Sequence, residues 1–112
     1  MPYINVKTNV PVSGEQMESI KTALGSAISD LPGKSESWLM VCIEDKKALW
    51  FKGDDSPAAM VQVQTYGNNT SGMDKLTSDI TGILSSEIAI PHDRVYVSYF
   101  GTANWGWNGS NF

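Results

Sequence analysis

The chain is expected to adopt an α/β (α+β) fold: two β-α-β units in tandem, forming a four-stranded sheet with two helices on one face. Near the N-terminus, Ile4, Val6 and Thr8 alternate with Tyr3, Asn5 and Lys7, the two-residue period of a strand. Two later segments carry apolar residues at helical period: Met17, Ile20, Leu24, Ala27, Ile28 and Leu31, then Met73, Leu76, Ile80, Ile83, Leu84 and Ile88. The order strand–helix–strand occurs twice over similar lengths. Each pair of strands is therefore expected to be parallel, with a right-handed crossover.

In chain order, the first strand ends near Thr8-Asn9-Val10-Pro11. Ser13 and Gln16 have the spacing of a capping box and open the first helix, which Pro32-Gly33 stops. A second strand is read through Trp38-Leu39-Met40-Val41-Cys42-Ile43, and Lys47 to Phe51 is a candidate short strand after a turn. Gly53-Asp54-Asp55-Ser56-Pro57 is a loop. A strand over Ala58 to Tyr66, a turn at Gly67-Asn68-Asn69-Thr70 and the second helix follow. Pro91-His92-Asp93 breaks that helix, and Val95 to Phe100 is the last full strand. The segment Leu39 to Ile43 is apolar on both faces, as in a strand covered from both sides. Two helices cover only one face of a sheet, so a second copy of the chain is expected on the other.

With 112 residues the chain is expected to form one domain, residues 1–112. Hydrophobic content of 41% with 18% charged residues describes a globular protein. A net charge of −4 argues against nucleic acid or an anionic membrane as the main partner. No N-terminal stretch has the pattern of a signal peptide, and no apolar run is long enough to span a bilayer. Cytoplasm is the default location. A single cysteine, Cys42, allows no internal disulfide and no cysteine metal cluster, and no metal site is expected.

Pro2 directly follows Met1. A small second residue normally lets the initiator Met be trimmed, which would leave proline with a free secondary amine at the start of a strand. The functional reading is a positioned base; the plainer one is a proline that begins an edge strand, where its missing N–H costs nothing. Lys34 lies just past the helix stop, on a loop that returns toward the first strand. His92 reads as a turn residue, Asp54-Asp55 as a solvated pair and Cys42 as a core residue. The tail from Asn104 to Phe112 carries Trp105, Trp107 and Phe112 within nine residues, either packed on a neighbouring subunit or lining an apolar pocket.

Four features stand in register along the whole chain: Met-Pro before a strand ending Thr8-Asn9-Val10-Pro11, Gly33-Lys34 after the first helix, Asp93-Arg94-Val95-Tyr96-Val97, and the ending Gly106-Trp107-Asn108-Gly109-Ser110-Asn111-Phe112. Together they resemble the macrophage migration inhibitory factor family of the tautomerase superfamily. The resemblance implies a homotrimer with active sites at the subunit interfaces. It also implies keto–enol tautomerisation of phenylpyruvate-like 2-keto acids, with dopachrome esters as artificial substrates, and no cofactor. Pro2 matches the catalytic proline and Lys34 the lysine beside it. Tyr66 stands where a backbone N–H helps hold substrate, and Tyr96 where a tyrosine comes from the adjacent subunit. Trp38, Trp107 and Phe112 match pocket positions. Three differences from vertebrate members fall in the pocket, at Ser98, Trp105 and Tyr66, and Tyr3 next to the catalytic proline is a fourth. Ala58-Ala59-Met60-Val61 stands where the family carries Cys-x-x-Cys, so a thiol oxidoreductase activity is not expected. The family also offers a different reading, a leaderless secreted ligand of a cell-surface receptor with vestigial catalysis.

The resemblance and the residue chemistry agree. A tautomerase needs one group that moves a proton between carbon and oxygen, and it works best with a pKa near the operating pH. Burial among aromatic side chains and repulsion from Lys34 both lower the pKa of a terminal amine. The same lysine charge would hold a substrate carboxylate or the oxyanion of enolisation.

Overall fold

The computed structural model describes residues 1–112. Strand β1 (Pro2–Thr8) lies inside a four-stranded sheet, between β2 (Met40–Glu44) and β3 (Ala59–Tyr66), and β4 (Val95–Thr102) completes the order β2-β1-β3-β4. β1 pairs with β2 in parallel, β3 with β4 in parallel, and β1 with β3 antiparallel. The two β-α-β halves thus meet edge to edge along β1 and β3.

Helices α1 (Gly14–Ala27) and α2 (Met73–Ile88) carry the core. Ser13 accepts from the Gln16 N–H while the Gln16 side chain accepts from the Ser13 N–H, a complete capping box. Ile20, Leu24 and Ile28 from the first half and Leu76, Ile80 and Leu84 from the second are wholly inaccessible. They pack on Ile4, Val6, Val61 and Val63 of the sheet. Each such side chain contributes about 1.5–3 kcal/mol relative to an exposed one. The Gln16 amide also donates to the Glu87 carbonyl, joining the start of α1 to the end of α2.

Three expectations need correction. The second strand begins at Met40 rather than Trp38, because Glu36–Trp38 forms a 3-10 turn that leads into it. Lys47 to Phe51 is not a strand: only one bridge forms there, between Phe51 and Asp54. The loop is held instead by side chains, the Asn9 amide donating to the carbonyls of Leu49, Asp55 and Ser56 and accepting from Ala58 N–H. Third, β2 is the edge of the sheet within one chain, and its apolar residues are only half-covered.

The expected pattern of one covered and one open face is present. Opposite the helices, strand register sets Met40, Tyr3, Gln64 and Phe100 in one row, Cys42, Asn5, Gln62 and Ser98 in the next, and Glu44, Lys7, Met60 and Tyr96 in a third. Cys42 therefore lies half-buried on this open face and not in the core. Met40, Tyr96 and Phe100 remain 68%, 60% and 59% exposed, an apolar load that an isolated chain leaves in water.

Candidate functional site

Pro2 is buried at the start of β1, opposite Thr65 of β3. Its position is well fixed because β1 is flanked on both sides, so the N-terminus is held by two ladders instead of fraying. The Met1 carbonyl accepts from the Tyr66 N–H at 3.1 Å, and the Lys34 ammonium donates to the Tyr66 carbonyl at 3.0 Å. Three distant segments therefore converge: the chain start, the loop after α1 and the end of β3. The α-amine of Met1 is held below its ordinary value, first by burial and then by the charge and hydrogen bonding of Lys34. A terminal amine here thus feels both influences that the sequence implied.

Beside this junction opens a cleft of about 370 Å3. Pro2, Tyr3, Trp38, Trp105 and Trp107 line it, together with Met1, Ser37, Leu39, Met40 and Gly106. Trp38 and Trp107 meet edge to face at 5.2 Å, so the 3-10 turn before β2 and the C-terminal tail form one aromatic wall. The tail owes its order to a small hairpin, β5 (Gly106–Trp107) with β6 (Ser110–Asn111), whose turn residues Asn108 and Gly109 both have positive φ. Phe112 donates its N–H to the Trp105 carbonyl and sets its ring 5.2 Å from that of Tyr66.

Of the ten residues singled out from the sequence, eight gather at this end of the molecule: five on the cleft wall, with Lys34, Tyr66 and Phe112 beside it. Tyr96 and Ser98 do not join them. Tyr96 pairs with Met60, which pairs with Lys7, five residues along β1 from Pro2. At about 3.3 Å per residue that is roughly 17 Å along the strands, too far for one chain to bridge. Ser37, Leu39 and Met40 were not anticipated on the cleft wall. The signal for Met40 lay in the strand register, which sets it beside Tyr3.

Elsewhere, the wider depression between α1 and α2, about 590 Å3, has only three apolar residues among its eleven and is a solvated seam. Asp54 and Asp55 are both exposed, as expected of a solvated pair, and Asp54 is also ion-paired to Arg94 at 2.9 Å. His92 sits in a 3-10 turn, as read. No helix is long and apolar enough to cross a membrane, and no three His, Cys, Asp or Glu side chains are placed to hold a metal ion.

Known proteins share this fold over the whole chain. The family model described as macrophage migration inhibitory factor (MIF) matches residues 1–112. The macrophage migration inhibitory factor of Mus musculus is 30% identical over 115 residues, covering 100% of this chain and 99% of its own length. A homolog from Brugia malayi is 27% identical over 119 residues, with 100% and 99% covered. The crystal structure of Leishmania major MIF2 superposes with a TM-score of 0.91 at 32% identity, over 100% of this chain and 97% of that one. The homologue from Prochlorococcus marinus gives 0.88 at 28% identity, with 98% of each chain covered. The chain belongs to the macrophage migration inhibitory factor family.

Proposed function

We propose that this protein is a cofactor-independent keto–enol tautomerase acting on phenylpyruvate-like 2-keto acids, and that it works as a homotrimer after removal of Met1. The amine of Pro2 is the base. It takes a proton from one carbon or oxygen of the substrate and returns it to the other, so the substrate is isomerised and the amine is regenerated. Lys34 holds the carboxylate or the developing oxyanion and keeps the amine's pKa down. Trp38, Trp105 and Trp107 enclose the ring, with Tyr3, Tyr66 and Phe112 at the margins; Tyr96 and Ser98 arrive from a neighbouring copy.

One observation carries this reading: the Lys34 ammonium, the chain terminus and the Tyr66 backbone meet beside an aromatic cleft. Met1 occupies the junction in two ways. It makes the Pro2 nitrogen an amide, and its carbonyl uses the Tyr66 N–H. Removing it frees both a basic nitrogen and a hydrogen-bond donor within reach of Lys34. The trimer is supported by the roughly 17 Å that separates Tyr96 from Pro2 along the sheet and by the exposed Met40, Tyr96 and Phe100.

The test is enol–keto conversion of phenylpyruvate by the processed chain and by Pro2→Gly. Glycine keeps a terminal amine but loses the ring that directs it, and is expected to lose on the order of 10²-fold in kcat/KM. An inactive processed chain, or a Pro2→Gly chain with undiminished activity, contradicts the reading.

A further inference from the structure

The loop after β2 is tied down more firmly than its polar, exposed sequence suggests. Asn9, at the end of β1, contacts four of its backbone groups. From the other side Arg94, at the entrance to β4, donates to the carbonyls of Pro57, Ser56 and Asp54 and pairs with the Asp54 carboxylate. The Arg94 side chain is only 12% exposed, and its guanidinium lies 5.2 Å over the ring of Phe51. Phe51 exchanges backbone bonds with Asp54 across a tight turn in which Lys52 and Gly53 both have positive φ. The ring at the end of this chain of contacts stands edge to face with Tyr96, at 4.9 Å and 73°.

Tyr96 itself is 60% exposed on the open sheet face, where a lone tyrosine samples several rotamers. Phe51, Trp50 and Met60 form an apolar wall of a narrow cleft, about 190 Å3, on one side of it. We infer that Phe51 is a positioning residue for Tyr96, fixing the direction in which the phenol leaves the sheet face toward the site of a neighbouring copy. The inference rests on the tautomerase reading, in which Tyr96 meets the substrate in a neighbour's cleft. Arg94 acts one step further back: it ends the 3-10 turn that leads into β4, two residues before Tyr96, and holds both the loop and the ring. A loop that only closed the end of the sheet would need the bonds from Asn9 and Arg94, but no aromatic edge set against an exposed tyrosine.

The experiment is a double-mutant cycle on the processed full-length protein, with phenylpyruvate as substrate: Phe51→Leu, Tyr96→Leu and both together. Leucine keeps apolar volume and removes the ring edge. Phe51→Leu is expected to raise KM about three- to ten-fold, the worth of one aromatic edge contact, with kcat and the acidic limb of the pH profile unchanged. In the double variant KM should match that of Tyr96→Leu alone, since there is then no phenol left to direct. Phe51→Tyr restores the ring and should restore KM. Should Phe51→Leu fail to fold, Arg94→Lys loosens the same loop and enters the same cycle. An unchanged KM, or losses from the two positions that multiply, overturns the inference while the tautomerase reading stands. An inactive wild-type protein overturns that reading and this inference with it.

Discussion

The ammonium of Lys34 donates to the carbonyl of Tyr66 at 3.0 Å, joining the loop after α1 to the end of β3 at the point where the chain begins. The carbonyl takes only part of the ammonium's three donors, and its positive charge remains beside the terminal amine. In the proposed tautomerase mechanism a lysine placed so would act on both partners of the proton transfer, disfavouring a proton on the amine and favouring negative charge on the substrate.

Lys34→Ala should therefore have two effects at once. KM for a 2-keto acid rises because the carboxylate loses its counter-charge. The pKa of the terminal amine rises because a repelling charge is gone, in the opposite sense to the lowering that Lys34 imposes at this terminus. A base with a raised pKa is active only above it, so the acidic limb of the kcat/KM profile moves to higher pH. An acidic limb that stays in place, or moves to lower pH, would show that Lys34 does not act on the base.

Gly101 tests whether the Tyr66 junction needs its present backbone path. A Cβ at Gly101 would run into the carbonyl oxygen of Gly67 and lie 3.3 Å from Asn68 Oδ1. The Gly67 N–H donates to Thr102 at 2.8 Å, so the two segments cannot part without losing that bond. Gly101→Ala should destabilise the fold by about 1–3 kcal/mol, as overpacking does, and should raise KM by moving Tyr66 away from Lys34. Denaturant melts and steady-state kinetics on one preparation check both; unchanged values in both would refute the close approach.

Much of this was legible in the residues. The capping box at Ser13 and Gln16, the two apolar stripes and the paired parallel strands all follow from local spacing, and all are present. The position of β2 was not legible, because Leu39 to Ile43 reads as apolar whether its open face meets helices or another copy of the chain. The loop at Lys47 to Phe51 misled for a related reason. Its apolar residues serve a clamp made by Asn9 and Arg94, whose bonds run to backbone carbonyls and leave no trace in a strand pattern. The C-terminal hairpin does have a local signal, the dipeptide Asn108-Gly109, which favours a tight two-residue turn. At the site, Pro2, Lys34 and the tryptophans fall together because strand ends and loop returns bring them there. That Tyr96 lies at the far end of the sheet depends on register, which no single motif contains.

The seam between the helices gives a stability prediction independent of catalysis. Lys75 lies 3.0 Å from both Asp30 Oδ1 and Asp79 Oδ2. Asp30 is held above its ordinary value, by hydrogen bonding with Asp79 and then by burial, while Asp79 is held below its own by its bonds to Asp30 and Lys75. A raised carboxyl contributes stability below its unfolded pKa and loses that contribution as pH rises through the folded value. Lys75→Met leaves the two carboxylates facing each other without a cation. Its Tm deficit relative to wild type should shrink as pH falls and Asp30, the carboxyl with the raised pKa, takes up a proton to share with Asp79. A deficit independent of pH would mean that the pair does not share one.

The central claim, that the chain's own terminal amine is the base, is tested most directly by comparing two forms of one sequence: the chain beginning at Pro2 and the chain that retains Met1. Intact mass establishes which is in the cuvette, and both are assayed for phenylpyruvate enol–keto conversion at the same pH. In the Met1-retained form the Pro2 nitrogen is an amide that accepts no proton, and the Tyr66 N–H is bonded to the Met1 carbonyl. Its kcat/KM should fall by more than the factor of about 10² expected for Pro2→Gly. Equal rates from the two forms would mean that Pro2 is not the base, and the tautomerase mechanism argued from this terminus would fail.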